Sequence, residues 1–401
     1  MIRWIFVVAL FLLARPAWAQ DERPTGYPRS ANEGSTRPVS LSGVYTADVR
    51  SDIGGGIARG TRYLDNLDLQ IAVDADRLVG WHGARLFAYA IYNNGRNFSS
   101  DLVGDAQGVS NIETGVRALR LFEAWVEQDV GRNASLKAGL YNLNSEFDTT
   151  QSGGFFLISS HGIGPDFSQS GRNGPSIFPV TSLAVRAEGK LGTHWLARVA
   201  VLDGVPGDPA HPATTAIKLS ARDGALVVGE VNYLSGGMKA AIGAWGYTAR
   251  FDAIPLGDAS SSGRGNAGAY VFAEYRLKGT RADDADGLAG WLRFGIADTR
   301  YNPIARYLGG GLVYSGTFKG RKDDQIGLSF AAASFGNRYR RSQALAGKSI
   351  GGREIVIEAG YLAVLAPWLR VQPDVQYVIR PGGDTSLGNA VVVGFRLKVG
   401  Q

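Results

Sequence analysis

Two carboxylates two residues apart, Glu146 and Asp148, stand near the head of the stretch "NLNSEFDTTQSGGFFLISSHGIGPDFSQSGRNGPSIFPVTS", which runs from Asn142 to Ser182. Acids at that spacing could act as a general acid and base or hold a cation; they also suit hydrogen bonding to the loop's own amides. Further along, His161 follows Ser159 and Ser160. Those are hydrolase residue types, but sequence neighbours point apart and no third partner is indicated. His82, His161, His194 and His211 show no metal spacing such as H-E-x-x-H. No G-x-S-x-G elbow and no phosphate-binding glycine loop occurs. The chain therefore reads as a non-enzyme that needs no metal or cofactor. The stretch also holds Phe155, Phe156, Phe167 and Phe178 beside Asp166, Arg172 and Asn173. Aromatic faces next to fixed donors and acceptors are the equipment of a binding surface.

What positions these groups is not a helix or strand of their own. The stretch has no sustained period of 3.6 or 2, and Gly, Ser, Asn and Pro punctuate it every few residues. Irregular segments this long are uncommon in compact domains unless they work.

The surrounding chain alternates with period two. In "NAVVVGFRLKVG", Val391, Val393, Phe395, Leu397 and Val399 share one face, opposite Gly394, Arg396 and Lys398. "NLDLQIAVDAD" and "LRVQPDVQYVI" repeat the pattern. Sixteen such runs begin near Val39, Asp65, Ala84, Leu119, Ala134, Thr181, His194, Gly224, Met238, Gly268, Leu288, Ala305, Asp323, Arg353, Leu369 and Asn389. Those at Ala84, Ala134 and Met238 alternate poorly, and no helical stretch is expected between runs.

The amino terminus, "MIRWIFVVALFLLARPAWAQ", has an early Arg3, a short apolar run and the small-x-small site Ala17-Trp18-Ala19. It reads as a secretory signal cleaved after Ala19. Residues 20–38 are polar and aperiodic and read as a disordered periplasmic tail, with the barrel over 39–401. There is no cysteine, and no later segment is apolar enough for a membrane helix. Losing Arg3 and Arg15 takes the formal charge from +6 to +4, too mild for a nucleic-acid partner.

Connector lengths choose between a sandwich and a membrane barrel. Long gaps open at Ser51, Gly95, Ser145, Asp203, Phe251 and Gly336, and gaps of a few residues at Val79, Gly131, Gly192, Ser235 and Pro367. Short turns on one side and long loops on the other are the pattern of outer-membrane barrels. "KGTRADDADG" and residues 299–304 depart from it. Lipid cannot satisfy backbone polar groups, so the strands must close. The expected fold is all-β: a transmembrane antiparallel β-barrel of about 16 strands, with one loop folded into the pore.

Within the long loop, "GIGPDFSQSGRNGPSIFP", and near the end "YLAVLAPWLRVQPDVQYVIRPGG", closely resemble the carbohydrate-selective porins of the OprB type. The resemblance is strongest over residues 118–204. It implies an outer-membrane channel of a Gram-negative bacterium that passes glucose and related sugars by facilitated diffusion, narrowed by inward loop material. The ending "RLKVGQ" departs from the terminal aromatic usual in such barrels. On this reading a sugar would meet Glu146, Asp148, Asp166, Arg172 and Asn173 on the loop, with Phe155, Phe156 and Phe167 as stacking surfaces. Inward parity adds Arg186, Glu188, Lys190, Arg198, Glu123 and Glu127 on the wall, and Arg396 and Lys398 on the closing strand. Each has a plainer alternative role: Arg172 as a pin for the loop, the phenylalanines as packing that holds it down, and the lumen charges as mutual counterions. The expected partners are small sugars, outer-membrane lipid and lipopolysaccharide, with a homotrimer or a monomer both open. A general or ion-preferring porin, a plugged structural barrel and a barrel-embedded hydrolase are the alternatives.

Overall fold

The computed structural model describes residues 37–257, 261–276 and 287–400. The signal-peptide reading, Ala19 and residues 20–36 lie outside the described residues, as does most of the "KGTRADDADG" turn. The described chain forms one closed antiparallel barrel of sixteen strands. They are β1 (Val39–Gly56), β2 (Gly60–Asp74), β3 (Ala84–Asn94), β4 (Arg117–Val130), β5 (Ala134–Tyr141), β6 (Ser182–Leu191), β7 (Trp195–Asp203) and β8 (Ala225–Ser235). The second half is β9 (Met238–Tyr247), β10 (Ala267–Arg276), β11 (Gly287–Ala297), β12 (Ile304–Ser315), β13 (Gln325–Phe335), β14 (Arg353–Ala366), β15 (Leu369–Ile379) and β16 (Gly388–Gly400). Each strand pairs with its sequence neighbour, and β1 closes on β16 from Val44↔Gly400 to Gly56↔Gly388.

The period-two pattern becomes two environments. Leu69, Val199, Ile242, Leu292, Leu312, Leu328 and Phe395 stay exposed on the outside, where lipid replaces water. Asp48, Arg50, Glu230, Arg293, Glu358 and Gln376 are buried on the inside. That inversion of a soluble core follows from the solvent on each face.

Three expectations need correction. No long loop opens at Ser51, because β1 and β2 run on together and only residues 57–59 connect them. Glycines made this stretch read as a loop. They serve bulges instead: the β1–β16 register shifts at Gly54 and Gly56, and a Cβ on Gly55 (φ 82°) would lie 1.9 Å from the Asn389 carbonyl oxygen. The connectors also contain helix. Ala75–Val79 is capped by Asp74, whose carboxylate accepts from the Arg77 amide, and Asn337–Leu345 forms a longer exposed helix. Polar connector composition hid both.

The third correction concerns the lumen. Two loops enter it, not one. Residues 95–116 place Phe98, Leu102, Val103, Val109 and Ile112 in one apolar cluster with Phe155, Phe156 and Trp291. The loop of residues 142–181 supplies both phenylalanines of that cluster. It supplies Phe147, Ile163 and Phe167 to a second cluster, which contains Trp245, Tyr247 and Tyr270.

Candidate functional site

The long loop is stitched to one side of the barrel by wall carboxylates that accept its backbone amides. Glu230 of β8 accepts from Asp148 N at 2.8 Å, and Glu274 of β10 from Gln151 N at 2.9 Å. Glu358 of β14 takes both Leu157 N and Ile158 N, at 2.6 and 3.1 Å. Gln372 of β15 donates to the Phe155 carbonyl at 2.8 Å. Buried amides need such partners, and charged acceptors hold them firmly.

The wall beneath is cut back to receive the loop. A Cβ on Gly327 would lie 2.4 Å from the Phe155 ring, and one on Gly295 would lie 2.1 Å from the Asp166 carboxylate. Arg293 of β11 crosses this trough. Its Nε and Nη2 donate to Asp148 at 3.0 and 2.6 Å, and its guanidinium also bridges to Asp166. Tyr270 and Tyr307 flank it at 5.4 and 5.3 Å. The pairing also holds Asp148 in a left-handed conformation (φ 52°) that costs a non-glycine residue roughly 1–2 kcal/mol.

Beside the trough stands a charge ladder. Lys137 Nζ donates to Glu146 at 2.7 Å, Arg186 donates to Glu146 at 2.7 and 2.8 Å and to Glu127 at 2.7 Å, and Tyr141 donates to Glu146 at 2.6 Å. Arg198 joins it to Glu188 and to the Glu146 carbonyl. Burial alone would raise the Glu146 carboxyl, but Lys137, Arg186 and Arg198 outweigh it and hold the group well below the usual range. Asp148 behaves otherwise: burial, opposed by Arg293, leaves it pushed up to about 6. His161, buried with Tyr307 and Ser329 hydroxyls at 2.9 Å on its two nitrogens, is pushed down to about 3 by burial. The Ser329–His161 contact has no carboxylate behind it and lies under the loop, so it lacks the geometry of a hydrolytic triad.

The residues singled out from sequence divide accordingly. Glu146, Arg186, Glu188 and Arg198 come together in the ladder. Asp148 and Asp166 meet on Arg293. Glu123 is buried, accepting from the Trp125 indole at 3.1 Å and from Asn142 N at 3.2 Å. Phe155, Phe156 and Phe167 are buried; Phe167 stacks on Trp245 at 4.9 Å and leaves no face for a solute. Arg172 and Asn173 sit among the loops, on Asp223 and the Arg250 carbonyl, and on the Pro206 carbonyl. Arg396 makes a separate buried pair with Asp48 at 2.7 and 2.8 Å.

The loop covers the mid-height inner face of β9–β14, where Ala241, Phe272, Trp291 and Ser329 are buried. On β2–β4 the inward Asp68, Gln70, Phe87, Tyr89 and Trp125 are only half-buried. The Phe87 and Trp125 rings lie 5.1 Å apart, and Lys137 Nζ sits 4.1 Å from the Trp125 ring centroid. Sequence reading missed this aromatic strip, Lys137 and Arg293. The poor alternation of the Ala84 run was the available signal: a strand with Phe87 and Tyr89 inside and Leu86, Ala88 and Ala90 outside loses its polar beat.

A closed sixteen-stranded barrel with a lipid-facing apolar exterior and a polar lumen narrowed by its own loops is a porin, a channel through the membrane. Residues 58–400 match the family described as "Carbohydrate-selective porin, OprB family", and the chain belongs to that family. It is an outer-membrane carbohydrate porin of Gram-negative type. Porin B of Pseudomonas aeruginosa is 24% identical over 397 residues, covering 88% of this chain and 86% of that protein. The high-pH structure of Pseudomonas putida OprB superposes with a TM-score of 0.80 at 22% identity, over 91% of this chain and 94% of that one. An anion-selective porin from Comamonas acidovorans shares the fold more loosely, with a TM-score of 0.53 at 12% identity over 90% of this chain and 99% of that one.

Proposed function

We propose that the passage carries small neutral sugars such as glucose by passive diffusion, without a chemical step or cofactor. The observation that carries this reading is the pairing of an aromatic strip, Phe87–Tyr89–Trp125, with a polar ladder whose charges already neutralise one another. A sugar offers apolar C–H faces and a rim of hydroxyls, so it fits between rings and fixed donors and acceptors. Lys137 and Arg186 are engaged by Glu146 and Glu127, so the narrow zone is polar with little net field. That favours an uncharged solute over an ion. Several weak contacts also suit transport, because the solute must leave as readily as it enters.

Planar-bilayer recording during glucose titration tests the reading. Saturable reduction of single-channel current at millimolar glucose is expected. Current that ignores glucose while responding to salt type would instead establish a general or ion-preferring porin.

A further inference from the structure

At the loop-bearing end of the barrel the lipid-facing surface changes character. By register, Tyr63, Tyr92, Asn94 and Arg117 share the outward face with Leu67, Leu119 and Leu121. With Arg96 and Asp65 they line an open cavity of about 670 Å³. Asp65 is already engaged, accepting from the Asn94 amide at 2.9 Å and the Tyr45 hydroxyl at 3.0 Å. Arg117 Nε donates to the Tyr92 hydroxyl at 3.0 Å, and its guanidinium stands 5.9 Å from that ring's centroid. Neither Arg96 nor Arg117 has a carboxylate in salt-bridge reach among the described residues. The third guanidinium of the cavity, on Arg62, is 3.9 Å from Asp101.

Arg96 and Arg117, two cations without a carboxylate of their own beside the occupied Asp65, border a face that otherwise meets hydrocarbon and need an anion from the membrane. An arginine at the bilayer midplane costs about 2–4 kcal/mol, falling to about 0–1 near the interface. Tyrosines such as Tyr63 and Tyr92 mark the headgroup level. Long loops face outward in these barrels, which puts the cavity at the outer leaflet. Guanidinium groups match phosphate oxygens two bonds at a time. We propose that this cavity binds a phosphoryl headgroup of outer-leaflet lipopolysaccharide, held by Arg96 and Arg117.

Native mass spectrometry of the purified protein, with lipopolysaccharide added to the detergent, tests this. The wild-type protein should retain the lipid, and R96A/R117A should bind it at least tenfold more weakly with unchanged channel conductance. Chemically dephosphorylated lipopolysaccharide should bind the wild-type protein no better than it binds the double variant. The dephosphorylated arm needs only wild-type protein, so it decides the matter even if the variant fails to fold. Equal lipid binding by both proteins, or equal binding of intact and dephosphorylated lipid, would overturn the assignment. So would displacement of the lipid by millimolar inorganic phosphate, which would mark a site for soluble phosphate.

Discussion

Arg293 Nη2 lies 2.6 Å from Asp148 Oδ2, joining a strand of the barrel's second half to a loop 145 positions earlier in the chain. Both side chains are almost fully buried, and Asp166 completes the cluster. Removing one member of a buried pair costs about 3–5 kcal/mol, because the other charge is left stranded. R293M should therefore unseat the loop, raise single-channel conductance and weaken glucose block. Adding D148N and D166N should recover part of the loss. Unchanged conductance in R293M would show that the clamp does not set the width of the passage.

The half-buried ring of Trp125 and the buried ring of Phe156 should fail differently. W125A removes a lumen face and should raise the half-blocking glucose concentration about fivefold, the equivalent of about 1 kcal/mol. F156A, under the loop, should cost about 3–5 kcal/mol in stability. Its readout is the temperature at which the folded barrel's gel mobility is lost. Identical glucose titrations for W125A and wild type would remove Trp125 from the sugar path.

The trough has a steric test. G327V places carbon where the Phe155 ring sits, since even an alanine there would bring its Cβ within 2.4 Å of that ring, and strand glycines so placed admit close approach. The barrel should assemble while the loop lifts, seen as faster proteolytic nicking within residues 142–181.

His161 predicts a pH dependence. Its folded value of about 3 lies below the ordinary 6.5, so between those values the unfolded chain binds the extra proton. Stability contributed by the neutral ring is complete above pH 6.5 and is lost as pH falls from there towards 3. The slope is about 1.4 kcal/mol per pH unit within that window. H161Q should flatten this part of the profile relative to wild type in melting experiments between pH 4 and 7.

Arg172 sits in an exposed network with Asp223 and the Arg250 carbonyl, over the Phe251 ring at 5.5 Å. Exposed pairs of this kind contribute about 0–1 kcal/mol. R172A should leave conductance and glucose block unchanged, and a widened solute range would place it on the passage after all.

The alternation of residues was enough to place nearly every strand. The run expected from Ala134 starts there, as does that from Met238, and the strand expected from Asp65 begins five residues earlier, at Gly60. Even weakly patterned β9 was found, although its inward Ala241 and Trp245 pack in the cluster that holds the loop's Phe167 rather than against water. The wall charges Arg186, Glu188 and Arg198 were also legible, because parity alone assigns a side chain to lipid or lumen. Their partners were not, since Glu146 reaches Arg186 across 40 residues of irregular backbone.

Alternation along the chain was sufficient for the barrel, because lipid outside and water inside impress a period of two on most strands, whatever their neighbours. The inner surface left open beside the loop followed from folding in three dimensions. Which glycines form a trough, which carboxylates hold amides and which aromatics remain open to a solute depend on contacts such as Glu358 with Leu157. Those residues are 201 positions apart, and they meet only once the ring has closed and the loop has turned inward.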